Sequence, residues 1–415
     1  MAVFSYPDMA FEEVTDDHGN AIVRCRLLSR YSFDLARAEL ERIGLVVVTN
    51  EGLDFGDASE KKVMNKLGLL LEEGIRHRLV HQLYRKPAFY LTTESKVPLI
   101  GSTEIGVVDR GSNIIEIKPL TGCNFNCIYC SVDEGKNRKT YDYLVEEEYL
   151  VKVAADVAAR KEHPVEFNIG PHGEPLLYPK LVELVRDLKN IPNTGIVSIN
   201  TNGSLLSKRL IDDLAAAGLT RVNLSIPALD PKLASELAGV PRFPMEHLLA
   251  MLDYGKTKLN FLLAPVLIPG KNEQEMQKIV ELSKTIRSAF PTIGIQNYLE
   301  YPKGRRPVKK PLSWDAFFAF VKRLEQETGK SLTSTKEDFR IHEEQELEKP
   351  FRKGQMIECE VCMPGRYANE MYAKAKGRLV NVQMPNDTKA LGKRIRVRIV
   401  RDKHSIYKGV LVGKQ

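Results

Sequence analysis

The chain has 415 residues, 43% hydrophobic and 28% charged, a globular balance with room for two or three domains and little for extended disorder. Six cysteines, three of them in one short run, leave no even disulfide framework, and the longest apolar stretch, residues 261–269, is far shorter than the roughly eighteen residues of a membrane helix. Net charge is +7, but fifteen Lys and Arg against five Asp and Glu from Phe351 onward give +10 there and leave about −3 for everything before it, so the basic end reads as a polyanion-binding module.

In chain order, residues 1–110 read as a small α+β accessory domain. The opening residues lack a basic-then-apolar leader pattern, and the expectation is a cytoplasmic protein with no membrane segment. Phe11 to Leu28 reads as a hairpin around a polar, Gly-containing turn, with Cys25 as a core residue. Residues 33–43 and 63–83 carry apolar side chains at helical spacing. His77 and His81, four apart, would share a helix face. Without a third ligand they read as a solvated or polyanion-facing surface rather than a metal pair.

From Asn113 strand-like and helix-like runs alternate. Strands are expected at 114–118, 165–169, 196–200, 221–226, 260–267 and 293–299, and helices at 145–160, 179–189, 206–217, 273–288 and 314–326. Six βα units imply a parallel sheet with right-handed crossovers, short of the eight of a complete barrel. Reactive groups in such sheets sit just beyond the C-terminal ends of the strands.

After the first strand comes Thr121-Gly-Cys-Asn-Phe-Asn-Cys-Ile-Tyr-Cys130. Cys123, Cys127 and Cys130 are too close in sequence to spread across a fold, and thiolates gathered in one small volume suit zinc or iron–sulfur. Structural zinc usually takes four ligands in two separated pairs. Here there are three, and the next histidine is His163. A [4Fe–4S] cluster on three cysteines leaves one iron open to a small molecule. A structural metal knuckle, or three unconnected core cysteines, is the plainer alternative. The spacing, with Tyr129 just before the third cysteine, resembles the radical S-adenosylmethionine (SAM) superfamily. That resemblance implies a (β/α)6 partial barrel in which the open iron chelates SAM and one electron cleaves it to methionine and a 5′-deoxyadenosyl radical.

Later segments extend the resemblance. Gly170-Pro-His-Gly173-Glu174-Pro175 is similar to the family's Gly-Gly-Glu-Pro motif, which holds the SAM ammonium, although His172 departs from it. Glycine permits close backbone approach and Glu174 supplies an anion; Glu174-Pro175 also suits a plain helix start. Asn200-Thr201-Asn202-Gly203 resembles the family's Thr-Asn-Gly segment and equally suits a turn. By resemblance Ser225, after the fourth strand, bonds the SAM ribose. Asn272, after Ile268-Pro-Gly, serves the adenine and ribose, or caps the next helix. The sixth strand, near 297–299, is where the family packs backbone against adenine.

Residues 301–311 hold five cations among three prolines and a glycine, which keeps them from regular structure. They read as an exposed basic loop, either a solvated linker or a strap in which Arg305 and Arg306 meet phosphate. Residues 111–328 are thus assigned to the partial barrel and 329–352 to a connector. Residues 353–415 alternate as an all-β, OB-like barrel, with Lys393, Arg394, Arg396 and Arg398 on one face as RNA contacts and Tyr367, Tyr372 and Tyr407 as stacking aromatics. The order resembles the TRAM domain, an RNA-binding module; a structural barrel with a solvated charged face is the alternative. By alternation Cys359 and Cys362 would fall on opposite faces unless a bulge intervenes, so they read as core packing rather than a second metal site. The expected fold is therefore α/β, a partial (β/α)6 barrel with an N-terminal α+β domain and a C-terminal OB-like barrel. The expected activity is modification of a tRNA or rRNA nucleoside, fed by a ferredoxin- or flavodoxin-type electron donor. A radical SAM enzyme acting on a peptide or small metabolite, and a non-catalytic iron–sulfur RNA-binding protein, are the rival readings.

Overall fold

The computed structural model describes the chain except residues 1–2, 7, 50–51, 84, 134–140, 171, 386 and 414–415. Its centre is a sheet in which Ile114–Lys118, Val165–Ile169, Thr194–Thr201, Arg221–Leu224 and Asn260–Leu263 pair in parallel in sequence order. The fifth strand resumes after Pro265 as Val266–Leu267, which pairs in parallel with the sixth, Gln296–Asn297. This is the expected six-strand partial barrel. Two helices between the fourth and fifth strands, Pro231–Ala238 and Met245–Gly255, escape the sequence reading, although Asp230 and Pro231 mark the first. The Asp230 carboxylate accepts from the Leu233 N–H at 2.7 Å, and Pro231 opens the first turn, where a missing N–H costs nothing.

Residue type assigns the two faces of the sheet. Ile115, Ile117, Phe167, Ile169, Val197, Ile199, Val222 and Leu224 are buried in the main core with the helices. The alternate positions are polar: Glu116, Lys118, Glu166, Asn168, Ser198, Asn200, Arg221 and Asn223. Parallel strands covered on both faces ordinarily read as continuous apolar runs, so a polar inner face marks a barrel interior built for something other than packing.

The accessory and central units exchange strands. Gly106–Asp109 pairs antiparallel with the first core strand, while Asp142–Val145 pairs in parallel with Lys86–Leu91 of the accessory sheet. In that sheet Met9–Thr15 and Ala21–Leu27 form the expected hairpin. Residues 33–43 differ from expectation: Tyr31–Ala36 is a strand, and only Arg37–Glu41 is helical. Tyr31, Phe33 and Leu35 alternate, and pairing with Ala21–Leu27 rewards that period over the helical one. The helix Glu60–Glu73 also ends early, so His77 and His81 share no helix face. His81 instead lies buried in a strand, edge-on to Tyr31 at 4.9 Å, and burial lowers its pKa to about 4.

The C-terminal unit is a closed barrel of Met356–Pro364, Glu370–Ala375, Arg378–Gln383, Arg394–Arg401 and Tyr407–Leu411, its third and fifth strands parallel. That is the order of an OB barrel. The barrel does not dangle. Its third strand and the end of its first press on the core: the Leu379 N–H bonds the Ile100 carbonyl at 2.7 Å, and the Tyr143 hydroxyl donates to the Pro364 carbonyl at 2.7 Å. Arg366, 1% exposed, pairs with the equally buried Asp142 at 2.9 Å. Tyr372 and Tyr407, expected to stack bases, are 1% and 0% exposed and belong to the packing. A bulge at Cys362 sends it toward the main core while Cys359 stays in the barrel's own. The connector is pinned as well, through a β-bridge from Glu343 to Ser112 and a bond from the Asn113 N–H to the His342 carbonyl. No helix among the described residues is long and apolar enough to cross a membrane.

Candidate active site at the cysteine loop

The loop carrying Cys123, Cys127 and Cys130 follows the first core strand and is held along its backbone from three sides. From the missed helix, the carbonyls of Ala238 and Leu237 accept from the Asn126 and Ile128 N–H groups at 3.0 and 2.9 Å. Gly239 ends that helix in the left-handed region at φ 63°, where a Cβ would stand 2.1 Å from the Asn126 oxygen. From the second strand, the Glu174 N–H bonds the Gly122 carbonyl at 2.8 Å. Gly173, at φ 70°, lies so near that an added Cβ would meet the same oxygen at 2.5 Å; only glycine lets the two loops close. From the strap, the Arg305 N–H bonds the Cys130 carbonyl at 2.9 Å, and its guanidinium donates to the Cys127 carbonyl at 2.6 Å and pairs with Asp133 at 2.5 Å.

Arg305, expected to meet phosphate, is thus committed to bracing the cysteine loop. Arg306 is exposed and paired with Glu300 at 2.8 Å. The thiols of Cys123, Cys127 and Cys130 all bear on the Tyr129 phenol, which bonds Cys127 and is pushed to high pKa mainly by burial. Burial likewise raises the Cys127 thiol to about 12. Among the described residues no three His, Cys, Asp or Glu side chains stand in ready metal-binding geometry. The donor set still fits a thiolate-bound cluster: three cysteines on one braced loop, with a backbone approach that any Cβ would fill.

Glu174 is 2% exposed. Its carboxylate accepts from the Leu176 N–H at 3.0 Å, the Thr201 hydroxyl at 2.5 Å and the Asn202 N–H at 2.8 Å; burial outweighs these donors and raises its pKa to about 7. It therefore ties the loop after the second strand to the loop after the third, while Pro175 sits buried in the first turn that follows. Pro171, part of the same expected motif, lies outside the described residues. Asn202 donates to the Asn124 amide oxygen at 2.9 Å and reaches the Cys123 sulfur at 3.9 Å. Cys123, Gly173, Glu174 and Asn202 thus meet in one place. Ser225 is half-buried just past the fourth strand, with its N–H on the Thr201 carbonyl. Asn272 is 1% exposed. Its amide donates to the Pro227 and Val266 carbonyls and accepts from the Ile268 N–H, which shapes the turn from within instead of capping the next helix.

Beside this site runs a carboxamide ladder that the sequence reading passed over. Arg221 donates to Asn223 at 2.9 Å, Asn223 to Asn200 at 2.8 Å, Asn200 to Asn168 at 2.7 Å and Asn168 to Ser198 at 2.7 Å. Ser198 and Arg221 both close on Glu166, at 2.6 and 2.5 Å. Polar residues at period two in otherwise aliphatic strands were the available signal.

On the barrel, Lys393, Arg394, Arg396 and Arg398 are exposed as expected. Arg394 and Arg396 face Glu360 and Glu358 across the strand pair, which offsets part of their field. A cavity of about 920 Å³ lies elsewhere, between the accessory domain and the core, lined by Tyr6, Tyr90, Arg76 and Lys180 among others.

A family model described as the Radical SAM superfamily matches residues 117–283. An uncharacterized protein of Methanocaldococcus jannaschii is 33% identical over 96% of this chain and 97% of its own length. A GTP 3′,8-cyclase of Crocosphaera subtropica is 33% identical over 41% of this chain; the chain spans about half, 50%, of that relative's length. Among solved structures, one titled as TYW1 with a lysine–pyruvate adduct bound aligns at TM-score 0.41 and 22% identity, covering 55% of this chain and 78% of that one.

Proposed function

We propose, from the match of residues 117–283 to the Radical SAM superfamily, that the chain is a radical SAM enzyme that modifies a nucleoside of tRNA or rRNA. Its cofactors are a [4Fe–4S] cluster and SAM. A cluster held by three thiolates would supply the electron for reductive cleavage of SAM, giving a radical able to abstract hydrogen from an unactivated carbon. In this reading Cys123, Cys127 and Cys130 hold the cluster. Tyr129 and Asn202 flank the thiolates, Gly173, Glu174 and Pro175 shape the rim that receives the SAM ammonium, Ser225 serves its ribose side, and Asn272 holds the turn on its adenine side through backbone bonds. An external low-potential donor of the ferredoxin or flavodoxin type supplies the electron.

One observation carries the reading of the chemistry: the loop of three cysteines at the C-terminal end of the first parallel strand is braced against Gly173, Glu174 and Asn202 from the next two. The RNA half is supported by the +10 balance from Phe351 onward and by the exposed Lys393, Arg394, Arg396 and Arg398. The test compares modified nucleosides of total tRNA and rRNA, by mass spectrometry, from cells with and without the gene. Loss of one nucleoside with gain of a lighter precursor supports the proposal. Its companion is anaerobic cleavage of SAM by reconstituted protein, expected to vanish in Cys127→Ala.

A second reading, a small nucleotide substrate, is favoured by one specific observation. The barrel strands that carry base-stacking aromatics in OB folds are spent here on packing, with Tyr372 and Tyr407 buried. The likeness to a GTP 3′,8-cyclase points the same way. An unchanged nucleoside profile beside intact SAM cleavage selects this second reading.

A further inference from the structure

Among the described residues the most exposed aromatics lie off the barrel, which offers only the half-buried Tyr367. Trp314 and Phe318 are 53% and 54% exposed, their rings stacked at 5.8 Å and 28° on the first turns of the helix Trp314–Thr328. Phe317, buried, meets both edge-on from below, at 5.8 and 5.5 Å, and the Ser313 hydroxyl caps the turn by accepting from the Ala316 N–H at 3.2 Å. The pair is therefore held rigid while its outer faces stay in water. Lys322 follows on the same helix face, eight residues after Trp314. Lys309 and Lys310 precede it on the strap, and all three lysines are exposed. Tyr301, 46% exposed, stands at the strap's other end. Between these ends Arg305 grips the carbonyls of Cys127 and Cys130.

Resting on the RNA reading above, we propose that Trp314 and Phe318, with Lys309, Lys310 and Lys322, form a stacking platform that leads single-stranded RNA along the strap to the cysteine loop. Rigid aromatics interleaved with cations bind single strands because every base offers a π-face and every link a phosphate. An apolar protein contact would need neither the lysines on both sides nor an aromatic at each end of a cationic strap. Burial of Tyr372 and Tyr407 leaves the barrel only the half-buried Tyr367, whose ring is already covered by Lys303 at 3.9 Å, so this face holds the open aromatics such binding requires.

Trp314 is the only tryptophan of the chain, so its emission reports on the platform alone. Titrating the intact protein with single-stranded oligouridine should quench that emission saturably, less at high salt, and with little effect from a duplex of equal length. Phe318→Ala and the Lys309→Gln/Lys310→Gln pair should each weaken binding about tenfold. Anisotropy of a labelled oligonucleotide should show a comparable loss for Trp314→Ala. All these side chains are exposed, so the variants fold. If the oligonucleotide binds while tryptophan emission and the affinity of Trp314→Ala are unchanged, the platform is wrong and the RNA reading stands. If no RNA binds at all, both fall, and SAM cleavage remains. Quenching by an acidic electron-transfer protein and not by the oligonucleotide would overturn the platform in favour of a protein dock.

Discussion

At Gly173 a single added carbon decides whether two loops can meet. Gly173→Ala places its Cβ within 2.5 Å of the Gly122 oxygen at a φ of 70°, which should cost about 1–3 kcal/mol by denaturant unfolding. It should also lower the iron bound per chain after anaerobic reconstitution. His81 tests the same scale through pH. Its pKa falls from 6.5 to about 4 in the fold, so the unfolded chain takes up the proton first. Stability is then whole above pH 6.5 and drains as pH falls toward 4, by about 3 kcal/mol in all. Urea midpoints across that window should slope more for the wild type than for His81→Gln, and parallel slopes would contradict the assignment. The two residues differed in legibility. Gly173 could be read because a motif surrounds it. His81 could not, because its fate depended on where the preceding helix stopped, and Gly74–Arg78 ends that helix as a wide turn no local propensity announces.

Strands were legible unevenly, since the expected sixth strand, 293–299, is only Gln296–Asn297. The strands 114–118 and 165–169 are legible to the residue because β-branched and aromatic side chains alternate with polar ones between clear turn residues. The helix Pro231–Ala238 was missed because only a few apolar residues mark its short buried face, yet it is the element that grips the cysteine loop. The polar inner face was legible in principle, since Glu166, Asn168, Ser198, Asn200, Arg221 and Asn223 fall at period two. The hairpin from Glu370 to Gln383 reads as one run because Lys376-Gly377 is its only punctuation. At this scale the docking of barrel on core is open to test. Arg366→Ala leaves Asp142 buried and unpaired, and should cost about 3–5 kcal/mol by thermal or urea unfolding. Replacing both by apolar residues of similar size should recover most of that loss, which separates the charge effect from mere loss of volume.

For the molecule as a whole, charge asymmetry was legible from composition and its deployment was not. The basic end is a barrel whose conventional ligand face is occupied by the core, so any RNA contact there must use the outer strands, where Arg394, Arg396 and Arg398 lie. Replacing all three by Gln should lower the slope of log affinity against log salt by up to about three if each meets a phosphate. An unchanged slope would mark them as a solvated face held by Glu358 and Glu360. Deleting residues 351–415 would be a poor substitute, since it would uncover Tyr143 and strand Asp142.

The bracing of the cysteine loop also bears on how the protein loses and regains its metal. Small metal sites commonly fold only around their ion, so that chelation and denaturation are one event. Here the amides of Asn126 and Ile128, and the carbonyls of Gly122, Cys127 and Cys130, are already taken by Leu237, Ala238, Glu174 and Arg305. The loop is a mould cast by its neighbours, in which only side chains turn to receive iron. Stripping the metal should therefore leave hydrogen exchange at Asn126 and Ile128 slow and the unfolding midpoint nearly unmoved. Oxidative loss of the cluster would then be an injury the protein survives folded, repaired by reloading rather than by new synthesis.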